Sequence, residues 1–140
     1  MTVYRVKDSG ILSANKADEL CVHFLESLYD CFRIERLPVR IDAYPYDDKD
    51  ILRYEAIITD KNTEEEIAGC LVSVYPDGIM DIIDMTLLSS RYDKKGYDYR
   101  CHADYPDAYI GSCDTSSKSD YDDMVRSACG ALCMTIIHYI

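Results

Sequence analysis

The chain has 140 residues, 48% of them apolar, and a formal net charge of −11. This is the size of one domain, too apolar for a disordered chain and too short for two good cores. The charge speaks against direct binding of nucleic acid or of an anionic membrane surface, both of which need a basic footprint.

No apolar run approaches the roughly 20 residues that a membrane helix requires. The opening MTVYRVKDSG lacks the charged and apolar regions of an export signal, so the expected location is the cytoplasm. Seven cysteines cannot all pair within one chain, and in that compartment they read as reduced thiols. Cys21, Cys31, Cys70, Cys129 and Cys133 fall in apolar patterns, where a thiol packs as a small apolar group.

Residues 15–34 read as the first helix. Ala17, Leu20, Cys21, Phe24, Leu25, Leu28, Cys31 and Phe32 recur at three- and four-residue steps. Ser13 or Asn15 can cap the start, and Pro38 sets the stop.

Four short strands follow. In 38–44, Val39, Ile41 and Ala43 alternate with Arg40, Asp42 and Tyr44. In 51–59, Leu52, Tyr54, Ala56 and Ile58 oppose Arg53, Glu55 and Ile57. Residues 66–75 continue through Ile67, Cys70, Val72 and Val74, and 79–87 supply the fourth run. The run Asp47-Asp48-Lys49-Asp50, then 60–63, then Pro76-Asp77-Gly78 are the turns between them. Links this short predict an antiparallel meander, since parallel neighbours need long crossovers.

Residues 88–118 show no sustained period and are rich in Tyr and Asp. They read as a surface loop, or as a loop with a short strand near Tyr97–Cys101. Residues 119–139 have unbroken helical spacing from Tyr121 to Ile140, opened by an S-x-x-D start at Ser119 and Asp122. The expected fold is therefore a single α+β domain over 1–140. It is a two-layer arrangement: a four-stranded antiparallel meander with N- and C-terminal amphipathic helices packed on one face. The other sheet face would carry Arg40, Asp42, Tyr44, Arg53 and Glu55.

The negative charge is uneven. Residues 38–87 hold 4 Lys/Arg against 12 Asp/Glu, a balance of −8. Thirteen tyrosines accompany two Phe and no Trp. Tyrosine supplies apolar area with a polar tip, and mixed with acid it suits a surface that meets Arg and Lys. The expected partner-binding residues are Asp42, Tyr44, Tyr46, Asp47, Asp48, Asp50, Tyr97 and Tyr99.

Phosphate-loop, CxxC, HExxH, GxSxG and EF-hand signatures are absent from the sequence. Cys129 and Cys133, four apart on a helix, could form a metal or thiol site with Cys101, Cys113 and His138. Both also lie on the apolar stripe of the last helix, where a core role is the simpler account. No cofactor is expected.

By size and charge the chain resembles small acidic inhibitors of phages and mobile elements, such as nucleic-acid mimics and anti-CRISPR proteins. It is similar in the same respects to acidic secretion chaperones. The resemblance implies a non-enzymatic inhibitor that engages a basic, nucleic-acid-handling protein. The alternatives are the metal or thiol site and a chaperone-like homodimer built on the last helix.

Overall fold

The computed structural model describes residues 4–6, 15–85 and 107–139. Its elements are β1 (Tyr4–Arg5), α1 (Lys16–Ile34), β2 (Val39–Asp48), β3 (Ile51–Asp60), β4 (Glu66–Val74), β5 (Ile79–Met85), β6 (Asp107–Asp114) and α2 (Lys118–Tyr139). The six strands form one antiparallel sheet in the order β1-β2-β3-β4-β5-β6. Both helices pack on the same face, α1 over β2, β3 and β4, and α2 chiefly over β6. The two-layer α+β meander is thus the observed fold, with β6 and the two-residue β1 added to the four expected strands.

Alternation decides which side chains face the helices. Ile41, Ile58 and Ala68 stand in one row across the sheet, and Ala43, Ala56, Cys70 and Asp84 in the next. Tyr54, Val72 and Ile82 make a third. The apolar members of these rows are buried with Phe24, Leu25, Leu28, Leu132 and Ile136 from the helices. Two bulges break the alternation. Ile67 is the extra residue opposite Ile58/Thr59, which is why it is buried although its parity differs from that of Cys70. Ile110 is the extra residue opposite Ile82/Ile83.

That second bulge explains why β6 is hidden in the sequence. DAYIGSCD contains poor strand formers, and the bulge destroys its period of two. Gly111 has a packing reason: a Cβ there would lie 2.8 Å from Met124 Cγ, so glycine lets α2 sit close on β6. Gly130, by contrast, has nothing within 4 Å of where a Cβ would be.

The β2–β3 connection is tighter than its sequence suggests. Asp47 and Asp48 are strand residues paired with Leu52 and Ile51, which corrects the expected four-residue loop. Only Lys49 and Asp50 turn, both at positive φ (52° and 70°), the two-residue hairpin geometry that matches strand twist. Beyond β1 the edge of β2 lies open among the described residues, and Pro45, which has no N–H, sits in that open part.

Helix ends follow local chemistry. Asn15 is the N-cap of α1, its side chain accepting from Ala17 N–H at 2.7 Å. Ser117, not Ser119, opens α2: its Oγ accepts from Asp120 N–H at 3.3 Å and its carbonyl from Tyr121 N–H at 3.0 Å. α1 ends in a Schellman motif, with Leu37 N–H on the Phe32 carbonyl at 2.9 Å and Arg36 N–H on the Arg33 carbonyl at 3.1 Å. Arg36 therefore holds φ 58°, where glycine is usual. Arg36→Gly should stabilise the fold by about 1 kcal/mol, read as a higher urea midpoint. An unchanged or lower midpoint would contradict the strain assigned to this residue.

Candidate functional site

The helices run parallel. Leu20 meets Tyr121 at one end, and Cys31 meets Cys133 at the other. The Tyr121 hydroxyl donates to the Leu20 carbonyl at 2.8 Å, so its oxygen is left to accept from His23 Nδ1 at 3.0 Å. This arrangement places a proton on Nδ1 and ties the two helix starts together. Both helix N-termini consequently lie at one end of the sheet, beside the β2–β3 and β4–β5 turns.

An open cleft of about 610 Å³ lies there. The start of α1 lines one wall with Lys16, Asp18 and Leu20, and the β2–β3 hairpin lines another with Tyr46, Asp47 and Asp50. Val74, Tyr75 and Pro76 come from the end of β4 and its turn. Asp18 is engaged, accepting from the buried Tyr54 hydroxyl at 2.6 Å. Asp47 and Asp50 are exposed, and no cation or donor answers either carboxylate among the described residues. The cleft therefore presents two exposed carboxylates beside an apolar floor, while strand alternation turns the ring of Tyr46 toward the other sheet face.

The expected binding residues separate into groups. Asp47 and Asp50 meet in this cleft, which Tyr46 lines from the strand edge with its side chain on the other face. Asp48 points to the other sheet face and pairs with Arg53 at 3.4 Å. Tyr44 is half-buried on that same face, opposite Glu55. Asp42 is only 8% exposed and is held between Arg5 and Arg40, so its charge is spent inside the fold. Tyr97 and Tyr99 lie outside the described residues. Sequence reasoning missed Lys16, Asp18 and Tyr75; the only sequence signal for them is position, at a helix start and beside the Pro76 turn.

The outer sheet face carries a polar row in register, Tyr46, Arg53, Ser73, Asp81 and Ser112. Arg53 Nη1 donates to Ser73 Oγ at 2.8 Å, and Ser112 Oγ to Asp81 Oδ1 at 2.9 Å. Asp81 is 7% exposed and Ser73 fully buried, so this face, expected to be open to solvent or to a partner, is partly internal.

The cysteines occupy the core. Cys21 and Cys70 are fully buried between α1 and β4, and Cys129 and Cys133 lie buried in α2 toward Cys31. Burial pushes the thiols of Cys21, Cys113, Cys129 and Cys133 up, and that of Cys70 up to about 12. This is the opposite of what an activated thiolate requires. Among the described residues no group of three or more His, Cys, Asp or Glu is placed to hold a metal ion. Cys101 and the His138 side chain lie outside the description. No helix among the described residues is long and apolar enough to cross a membrane.

The class of protein defined so far is a two-layer α+β domain with a carboxylate-rimmed cleft at the shared helix N-terminal end. No protein-family model, curated protein or solved structure matches the chain.

Proposed function

We propose that this protein is a non-enzymatic acidic binding protein whose cleft receives Arg or Lys side chains of a basic partner. The observation that carries this reading is the pair of exposed carboxylates, Asp47 and Asp50, that line the cleft without an ion pair among the described residues. Carboxylates attract and orient guanidinium groups, and the exposed Tyr46 on the other face of the same hairpin extends the surface a partner can cover. The net charge of −11 supports fast, steered encounter with such a partner. A partner that handles nucleic acid would be inhibited by occupation of its phosphate-binding groove.

The test uses an arginine-rich peptide, and then any basic partner captured from lysate at low salt and released at high salt. Changing Asp47, Asp48 and Asp50 together to Lys should slow association about tenfold or more, because steering depends on charge. Tyr46→Ala should act mainly on dissociation. Kinetics that ignore both salt and the triple reversal would remove the support for this reading.

A second reading, self-association through α2, is favoured by a specific patch. Ile34, Met134 and Ile137 are 69%, 55% and 41% exposed. Residues 127–139 contain no Asp, Glu, Lys or Arg, so two strongly acidic copies can approach there without opposing carboxylates. Sedimentation equilibrium distinguishes the readings: a dimer on this patch strengthens with salt and is lost in Met134→Glu, whereas binding of a basic partner weakens with salt.

A further inference from the structure

Helix α2 carries two stripes at helical spacing. One, through Cys129, Leu132, Cys133 and Ile136, is buried in the core. The other runs along the opposite face through Ser127, Gly130, Met134 and Ile137, at steps of three, four and three residues, and all four are exposed. Steps that average three and a half residues are the seam by which one helix packs along another. Gly130 is the unexplained member. A glycine inside a helix weakens it, and no contact within the protomer requires this one, since nothing lies within 4 Å of where its Cβ would be. What it offers is space in front of the helix for a large side chain from another molecule.

A second copy of the chain supplies that side chain. The seam holds two small residues followed by two large ones, so an antiparallel two-fold axis passing beside Ala131 matches it to itself. Met134 of each copy then lies over Gly130 of the other, and Ile137 over Ser127. Charge favours the same arrangement. Each copy carries −11, and residues 127–139 hold no Asp, Glu, Lys or Arg. Antiparallel pairing keeps the two Asp123 carboxylates about 27 Å apart at 1.5 Å per residue, well beyond the screening length. Parallel pairing would set Asp123 against Asp123 and Arg126 against Arg126. In the antiparallel pair, Arg126 instead reaches the last turn of the second copy's helix, where the dipole favours a cation.

We propose that α2 pairs with α2 of a second copy across an antiparallel two-fold, with Met134 of each seated over Gly130 of the other. The pairing rests on the self-association reading and specifies its geometry. It sets the two acidic clefts at opposite ends of the dimer, because each lies at the N-terminal end of its own helices.

Sedimentation equilibrium of the full chain under reductant provides the test. Gly130→Glu and Met134→Lys should each weaken dimerisation about tenfold or more, by setting a charge against an apolar group. Both positions are exposed, so circular dichroism should show each variant folded as the parent is. An equimolar mixture of the two variants should recover the dimer. In the mixed pair the new carboxylate meets the new ammonium at one contact, and the other contact is the native one. Parallel pairing predicts no recovery, because position 130 would then face position 130. A dimeric parent whose variants show no recovery on mixing overturns the antiparallel seating and leaves self-association standing. A parent that is monomeric at every concentration overturns both.

Discussion

Ile136→Asp should destabilise the protein by about 4 kcal/mol or more, enough to leave it largely unfolded if the parent has ordinary stability. Ile136 is 0% exposed, on the buried stripe of α2 with Leu132, Cys133 and Cys129. A carboxylate there would lose its hydration with no described cation on that stripe to receive it. The neighbouring residue provides the control. Ile137 points outward, 41% exposed, and Ile137→Asp should cost about 1 kcal/mol or less, mostly through the helix dipole. Urea unfolding of the two variants measures the difference directly. If both behave alike, α2 does not cover the sheet as described.

The second large effect is alkaline unfolding. Cys21, Cys70 and Cys129 are nearly inaccessible, and desolvation raises each thiol above its ordinary value of 9.0. In the unfolded chain these thiols ionise near that ordinary value; in the folded chain Cys70 holds its proton to about 12. The stabilisation is therefore fully present below pH 9 and is lost as pH rises from 9 toward 12. Each buried thiol contributes a slope of about 1.4 kcal/mol per pH unit, so three give about 4. Against a typical stability of about 5–15 kcal/mol, the fold should collapse roughly one to four units above the ordinary thiol pKa. The measurement is a urea series between about pH 7 and 11 under reductant, where the slope begins near the unfolded thiol pKa. Cys70→Ala should start less stable but lose stability about 1.4 kcal/mol per unit more slowly. Stability that stays level through pH 11 would contradict thiol burial.

Much of the architecture is legible in the residues. The alternation of Val39, Ile41 and Ala43, and of Tyr54, Ala56 and Ile58, places six buried side chains correctly, because one face of an antiparallel sheet must be apolar. The two helical stripes are equally direct, with Ile137 the residue that spacing assigns to the core and the structure leaves exposed. β6 was not legible because its bulge at Ile110 and its Gly, Ser and Asp content erase the period. The hairpin tip was misjudged since nothing in Lys49-Asp50 advertises two positive φ values; Asn-Gly would have.

The candidate site was legible only in part. Asp47 and Asp50 were expected from local acid, and they do line one cleft. Asp42 belongs to the same stretch but is consumed by Arg5 and Arg40, a pairing that depends on β1 crossing beside β2 and so is invisible locally. Tyr44, Tyr46 and Asp48 were separated from Asp47 by the strand's own period of two.

The parallel pairing of α1 with α2 joins Leu20 to Tyr121, about a hundred positions apart. Strands β2 to β5 are linked by short turns and can pair soon after leaving the ribosome, and α1 is already available to cover β2, β3 and β4. The helix-facing side of β5 has no lid until β6 and α2 have been synthesised. During translation this leaves a half-roofed sheet, with Met80 and Ile82 bare, for as long as some fifty further residues take to emerge, about 3–10 s at ordinary elongation rates. Such an intermediate is where a chaperone of nascent chains would bind, and where truncation before α2 would produce aggregates instead of a smaller folded protein.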